Sequence, residues 1–134
     1  LIPGYNDSSS ELEKLSRWVV ERLGPDIPLH FSAFHPDWKM TGVERTSHST
    51  LKCAREIAQA NGIHHVYLGN VHDREGSSTY CHACGQILIG RDWYVLSDWN
   101  LDPQGRCSNC LEPCPGHFDP TPGNWGSRRQ PIRI

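Results

Sequence analysis

The chain has 134 residues, a hydrophobic content of 37% and a formal net charge of −2. That length allows one ordinary domain, or a small lobe with an appended module. The near-neutral charge gives no overall basic footprint for nucleic acid, and no apolar run approaches the roughly 20 residues of a membrane-spanning helix. We therefore predict partners that include neither nucleic acid nor a membrane.

A loop and a helix are predicted at the start of the chain. The chain begins at Leu1 rather than Met, within what is typical of the end of a strand, so we expect a fragment of a longer protein. Residues 3–7 carry a loop signal, and Ser10 with Glu13 forms a capping-box pair that begins the helix. Gly24 ends it. The apolar stripe predicted to be buried recurs at helical spacing and consists of Leu12, Leu15, Val19 and Leu23.

Two strands and a second helix are predicted next. Residues 28–34 have the length and composition of a strand, residues 50–61 form a helix stopped by Gly62, and residues 65–71 form another strand. The buried face predicted for the second helix consists of Leu51, Ala54, Ile57 and Ala58. Strand, helix, strand, helix, strand is the order of parallel α/β structure with right-handed crossovers.

Three loops follow the predicted parallel strands, at residues 3–7, 35–39 and 69–72. Chemistry in parallel α/β folds gathers in the loops after the carboxyl ends of strands. All three loops carry polar or glycine residues suited to a ligand. In the third loop, Asn70 and His72 could face the pocket.

Four cysteines in two Cys-x-x-Cys pairs predict a metal site in the second half of the chain. Cys81 and Cys84 form the first pair and Cys107 and Cys110 the second, with residues 85–106 between them. Four thiolates in this arrangement fit the tetrahedral coordination of zinc, and such a closed site is usually structural. Iron in a rubredoxin-like site, or a degenerate ribbon without metal, are the alternatives.

The residues around these pairs are typical of a zinc ribbon, in which hairpins present one cysteine pair each. Two short strands are predicted at residues 87–89 and 93–96, around a turn at residues 90–92. Gly85 follows the first pair and suits a tight turn, whereas Leu111 stands in the glycine's place after the second and departs from the usual pattern.

The two remaining cysteines are not needed to fill a four-sulfur shell. Cys114 is predicted to be a free thiol, with a spare metal ligand as the alternative, and Cys53 is predicted to be a small buried residue within a helix. His82 is predicted to be an ordinary residue of the first pair. Paired spacing with one isolated cysteine upstream favours reduced thiols and a cytoplasmic protein over a secreted disulfide framework.

Several ordered segments resemble one enzyme family. Residues 1–7, Leu-Ile-Pro-Gly-Tyr-Asn-Asp, resemble the late-barrel loop of radical S-adenosylmethionine enzymes of the activating-enzyme type, and residues 31–40 resemble the following strand and loop. Together with residues 67–71 and the ensuing Cys-x-x-Cys-Gly, this order resembles the radical enzyme of the AmmeMemoRadiSam system, which is similar to pyruvate formate-lyase activating enzymes. The resemblance covers about residues 1–118.

The resemblance implies a partial (β/α) barrel with a [4Fe-4S] cluster that reductively cleaves S-adenosylmethionine to a 5′-deoxyadenosyl radical, which abstracts hydrogen from a substrate. The family holds that cluster with a Cys-x3-Cys-x2-Cys loop near the front of the barrel. Here Cys107, Cys110 and Cys114 have the reverse spacing, so the chain resembles the carboxyl-terminal part of the enzyme, inactive alone. Its implied partners are the missing amino-terminal half of the barrel and a protein substrate or system partner.

The resemblance also implies four residues of the S-adenosylmethionine pocket wall. Ile2, Gly4 and Asp7 match the late-barrel motif, in which the apolar residue packs near adenine, and His35 matches a histidine near the bound cofactor. Simpler roles are a helix cap for Asp7 and a turn-stabilising role for His35 before Pro36.

These observations predict an α/β fold made of the last β/α units of a partial radical S-adenosylmethionine barrel over residues 1–73. A zinc-ribbon-like module with four cysteine ligands follows over residues 74–118, beginning with a linker, and a Pro/Gly/Arg-rich tail covers residues 119–134. The tail arginines Arg128, Arg129 and Arg133 are predicted to be solvated, with contact to an acidic partner as the alternative. The competing function is a non-enzymatic zinc-ribbon module that docks onto a protein.

Overall fold

The computed structural model describes residues 1–124 and 126–129. The chain divides into two compact units, with the boundary between Ser77 and Ser78. The elements in chain order are α1 (Ser9–Leu23), β1 (Leu29–Ser32), α2 (His48–Ala60), β2 (Val66–Gly69), α3 (Arg74–Ser77), β3 (Thr79–Tyr80), β4 (Ile87–Asp92) and β5 (Val95–Trp99). The linker prediction was wrong at its start, because Asp73 accepts the Gly76 N–H at 2.9 Å and begins α3.

The first unit has mixed α/β structure around two parallel strands. β1 pairs with β2 in register from Leu29 opposite Val66 to Ser32 opposite Gly69, and α2 forms the crossover between them. The predicted strand–helix–strand order is therefore found, with both strands shorter than predicted. A complete barrel wall is not seen in the described residues.

The outer edge of β2 is occupied by arginine side chains. His65 accepts a hydrogen bond from Leu29 of β1, so the next carbonyl, that of Val66, faces away from β1. Arg55 Nε donates to this Val66 carbonyl at 3.2 Å, and Arg45 Nη2 donates at 3.0 Å to the carbonyl of Asn70, just beyond the carboxyl end of the strand.

Helix α1 begins two residues earlier than predicted. Its N-cap is Ser8, whose Oγ accepts the Glu11 N–H and donates to Glu11 Oε2 at 2.8 Å. Three consecutive serines could each cap this helix, and the first of them does. The predicted end is confirmed, because Gly24 has φ +95° and its N–H bonds to the carbonyls of Val19 and Val20.

The buried faces of the helices are narrower than predicted. Leu12 and Val19 of α1 are buried, but Leu15 and Leu23 are exposed. The residue buried between the first two is Ser16, whose Oγ donates to the Leu12 carbonyl at 2.6 Å and so satisfies its polar group. The core of the first unit consists of Leu12, Val19, Phe31, Ala33, Leu51, Ala54, Ala58, Ile63, Val66 and Leu68, with Ile57 partly buried against it.

The second unit contains the antiparallel sheet β3–β4–β5. The predicted turn at residues 90–92 is wrong, because β4 runs through these residues and the chain reverses at Trp93 and Tyr94, between the paired residues Asp92 and Val95. Gly90 instead lies beside an irregularity in the pairing, where a Cβ would collide with side chains of β5. The glycine serves close strand packing rather than the turn.

The tail is described only in part. Arg128 Nη2 donates to the Asn124 carbonyl at 2.9 Å, and both Arg128 and Arg129 are exposed. Arg133 lies outside the described residues.

Candidate functional site

The four predicted cysteines come together in the second unit. Their sulfurs all lie within 4.8 Å of one another, with 3.6 Å between Cys81 and Cys110 and 3.7 Å between Cys84 and Cys107. Four sulfurs about 2.3 Å from a central zinc ion at tetrahedral angles would be about 3.8 Å apart. The four cysteines are therefore positioned to bind a metal ion, and their spacing fits zinc.

The two cysteine pairs have the same backbone geometry. In the first, the Gly85 N–H donates to the Cys81 carbonyl at 2.9 Å and the Cys81 N–H to the Gln86 carbonyl at 2.8 Å. The second repeats both bonds, at 2.9 Å each, around Cys107 and Leu111. Leu111 adopts φ +64°, close to the +75° of Gly85. The unusual residue therefore leaves the turn unchanged.

The electrostatics of the sulfurs favour a cation at their centre. The Gln86 backbone N–H, followed by the Asn109 side-chain amide at 3.6 Å, lowers the pKa of the Cys84 thiol to about 6. The Glu112 backbone N–H has the same effect on Cys110, but the neighbouring sulfurs, Cys84 first, outweigh it and raise the pKa of Cys110 to about 12. A thiolate at Cys84 thus opposes ionisation of the Cys110 thiol, and a bound divalent cation would offset the repulsion between the two negative charges.

Two of the four clustered cysteines are buried in the core of the second unit, and two are exposed. Cys81 and Cys107 are buried, whereas Cys84 and Cys110 are exposed. Cys114 is buried in the same core but does not belong to the group of four sulfurs. His82 is also outside that group, and its Nε2 lies 3.4 Å from Glu112 Oε1.

The first two predicted ligand loops begin side by side in the first unit. The Leu1 N–H group donates to the Ser32 carbonyl at 2.7 Å. The Thr46 hydroxyl donates to the Leu1 carbonyl at 2.6 Å and accepts the Phe34 N–H at 2.8 Å. Leu1 is thus bonded as a neighbouring parallel strand would be, except that the Thr46 hydroxyl lies between the Phe34 N–H and the Leu1 carbonyl. The loops at residues 3–7 and 35–39 therefore leave from neighbouring points.

The first loop is held by its own side chains. Asn6 Oδ1 accepts the Ile2 N–H at 2.7 Å, and Asp7 Oδ1 accepts the Gly4 N–H at 2.8 Å. Gly4 has φ +76°, a conformation that glycine adopts at little cost. The alternative role of Asp7 as the helix cap is wrong, because Ser8 occupies the N-cap position.

The second loop is open to solvent. The His35 side chain is 65% exposed, and its Nδ1 lies 3.1 Å from Asp37 Oδ2. Trp38 has φ +50° and is 85% exposed, with Lys39 Nζ 4.4 Å from its ring centroid. The pocket roles of Ile2 and His35 remain predictions, because neither side chain lines the cleft described next.

A feature that sequence reasoning missed is a cleft of about 410 Å³ in the first unit. It is lined by Arg45, Thr46, Ser47, His48, Val71 and His72. Only Val71 and His72 among them belonged to a predicted ligand loop, the one at residues 69–72. The sequence signal that could have found the others is the Ser- and Thr-rich stretch that contains Arg45 and leads into the first residue of α2, His48.

Two further observations concern Cys53 and the helices of the described residues. Cys53, predicted to be buried, is exposed on α2. Among the described residues, no helix combines the length and the apolar character that crossing a membrane would require.

Comparison with known proteins identifies a relative of greater length. The uncharacterized protein MJ0808 of Methanocaldococcus jannaschii is 43% identical over 113 residues, which are 84% of this chain and 34% of that protein. The chain thus spans about a third of the length of this relative. No family model matches the chain. No solved structure matches it either.

Proposed function

We propose that the chain is the carboxyl-terminal part of a radical S-adenosylmethionine enzyme of the activating-enzyme type, related to the AmmeMemoRadiSam system. The observation that carries the proposal is the contact of Leu1 with the carboxyl end of β1, made directly to Ser32 and through the Thr46 hydroxyl to Phe34. It starts the loop with the Ile2 and Gly4 motif beside the loop that begins at His35. A wall for one cofactor needs these two loops as neighbours at the carboxyl edge of a sheet.

In this proposal the first unit contributes wall contacts rather than the reactive centre. Ile2 would pack near adenine, Gly4 would let the backbone approach the cofactor, and Asp7 and His35 would offer polar contacts. The [4Fe-4S] cluster, which supplies the electron for cofactor cleavage, does not fit this chain. Its only cysteine cluster among the described residues is a four-sulfur group suited to one metal ion. We therefore place the cluster ligands in an amino-terminal segment of a longer cytoplasmic protein.

The second unit would hold a structural zinc ion. Support comes from the sulfur distances, from the matching backbone turns of the two pairs, and from two buried ligands. All four coordination positions are taken by cysteine, so no open position remains for a substrate. Iron is the alternative metal, and metal analysis of the purified chain distinguishes the two.

The test is made on the longer protein. The coding sequence upstream of Leu1 should contain a Cys-x3-Cys-x2-Cys segment. That protein, reconstituted anaerobically with iron and sulfide and reduced with dithionite, should convert S-adenosylmethionine to 5′-deoxyadenosine. Substituting His35→Ala should raise the KM for S-adenosylmethionine, whereas the exposed Cys53→Ser should not. A start codon immediately before Leu1, or no 5′-deoxyadenosine, would overturn the proposal.

A second candidate is a non-enzymatic zinc-ribbon module that docks onto another protein. Its supporting observation is the exposed turn of the β4–β5 hairpin, where Trp93, Tyr94 and Val95 are each more than 60% exposed. Large exposed apolar side chains at one place are typical of interaction surfaces. The same 5′-deoxyadenosine assay decides between the candidates, because a docking module forms none.

A further inference from the structure

Five of the six residues that line the cleft of the first unit have side chains that can donate hydrogen bonds, the sixth is Val71, and none of the six is acidic. It lies at the carboxyl end of β2, because Val71 and His72 follow that strand directly. The facing side comes from the segment that enters α2, where Arg45 and His48 are the side chains able to carry positive charge. Clefts at the carboxyl ends of parallel strands are where α/β proteins bind ligands.

The guanidinium group of Arg45 is held by one hydrogen bond, which leaves most of its N–H donors available. One terminal nitrogen, Nη2, donates to the Asn70 carbonyl at 3.0 Å, across 25 residues of sequence. This bond fixes the side chain against the end of β2. A guanidinium has five N–H donors, so most of them remain for a ligand. By contrast, the Thr46 hydroxyl is already engaged by Leu1 and Phe34.

His48 is oriented by a nearly buried carboxylate. Its Nε2 lies 2.6 Å from Oδ2 of Asp73, whose side chain is only 7% exposed. The other carboxylate oxygen accepts the Gly76 N–H at 2.9 Å, so Asp73 itself cannot turn away. Within the described chain, Nδ1 of His48 makes no hydrogen bond. In the imidazolium form both ring nitrogens donate, one to Asp73 and the other to a ligand.

We propose that this cleft binds an oxyanion, a carboxylate or phosphate group of a small-molecule ligand, through Arg45 and His48. Arg45 supplies a planar set of N–H donors that matches the oxygens of either group, and His48 supplies a second donor, Nδ1–H, when its ring is an imidazolium. Asp73 is a positioning residue that keeps the imidazole in place. The proposal is independent of the radical enzyme, because Ile2 and His35 do not line this cleft.

The test is a titration of the ¹⁵N-labelled chain with inorganic phosphate, and separately with acetate, at constant ionic strength. Saturable shifts are expected at the His48 ring and at the amides of residues 45–48 and 71–72. Arg45→Gln and His48→Gln should each weaken binding roughly tenfold or more, the effect of losing one charge-assisted contact. The tighter of the two anions identifies the ligand class.

The matched control is Arg55→Gln. Arg55 also donates to a carbonyl of β2, at 3.2 Å, but does not line the cleft, so its loss should leave binding unchanged. His35→Ala should likewise have no effect, which separates this proposal from the cofactor-wall proposal. Shifts that do not saturate, or an equal loss with Arg55→Gln, would overturn it. Where Arg45→Gln fails to fold, Arg45→Lys keeps the charge without the planar fork and should still weaken binding.

Discussion

The first unit buries a cluster of ten apolar residues with no cysteine among them, whereas in the described part of the second unit three of the six buried residues of the cluster are cysteines. Two of those three, Cys81 and Cys107, belong to the four-sulfur group. Small apolar clusters rarely stabilise a fold alone, and a structural metal is one of the usual supplements. We infer that the first unit is held by packing and the second by packing together with metal coordination.

Removing the metal should change the stability of the two units most unequally. Structural zinc contributes apparent stabilisation on the order of 10–16 kcal/mol in small domains. Chelation, or Cys81→Ser, should therefore abolish amide hydrogen-exchange protection over residues 78–118. Protection over residues 1–77 should persist, because that core contains no metal ligand. Unchanged protection in the second unit after complete metal removal would contradict the inference.

Thiol alkylation offers a second measurement of the same change. Cys53 is exposed outside the cluster and should react with or without metal. Cys84 should react at neutral pH only after metal removal, and before Cys110, because its pKa is about 6 and that of Cys110 about 12. The Cys53→Ser variant provides the control for metal content, which it should leave at one ion per chain.

Truncation in the apolar core should have the next largest effect. Leu51 is fully buried, so Leu51→Ala should lower the free energy of unfolding of the first unit by about 2–5 kcal/mol. The matched control is Leu15→Ala on α1, where the leucine is 40% exposed and the loss should be clearly smaller. Chemical denaturation measures both. Equal losses would show that Leu15 is buried, as the apolar stripe in the sequence predicted, and would contradict its observed exposure.

Acid should weaken the first unit through Asp73. Burial raises the pKa of this carboxyl group, but the Gly76 N–H and His48 outweigh that effect and lower it. Because the folded-state pKa lies below the unfolded value of about 3.9, the stabilisation is complete above that value and is lost as pH falls through the folded pKa. Asp73→Asn should therefore be less stable than the parent at pH 6, with the difference shrinking below about pH 4. A difference independent of pH would contradict this.

The smallest effect is expected at Leu111. Its left-handed backbone costs roughly 1 kcal/mol, which Leu111→Gly would relieve, while the added freedom of glycine in the unfolded chain offsets about the same amount. Zinc affinity measured by competition with a chromophoric chelator should change less than tenfold. Gly85→Ala at the equivalent turn reverses both contributions, so it should also change zinc affinity less than tenfold. A large loss with Leu111→Gly would show that the leucine side chain itself supports the second pair.

The part of the structure that could be predicted is the part set by local spacing. The Cys-x-x-Cys pairs fix their own turns through bonds within six residues, so the cysteine cluster follows from the sequence. Helix α1 was located, but three adjacent serines left its first residue ambiguous. The hairpin turn was misplaced because Gly90 lies within β4 against side chains of β5, which a local turn signal does not reveal.

The cleft could not be predicted because its components are distant in the sequence. Arg45 meets Asn70, and His48 meets Asp73, each across 25 residues. Neither pair belongs to a motif with fixed spacing, and only the parallel pairing of β1 and β2 brings them together. The loop before α2 therefore offered no more than an unassigned group of polar residues.

The arginines along β2 also bear on self-association. An unpaired strand edge is a template for another strand, and proteins protect such edges with charged side chains. Here Arg55 occupies the outward carbonyl of Val66, and Arg45 occupies the carbonyl just beyond the strand. A strand arriving at this edge would have to displace a guanidinium group at each end. β2 is therefore protected against edge-to-edge aggregation.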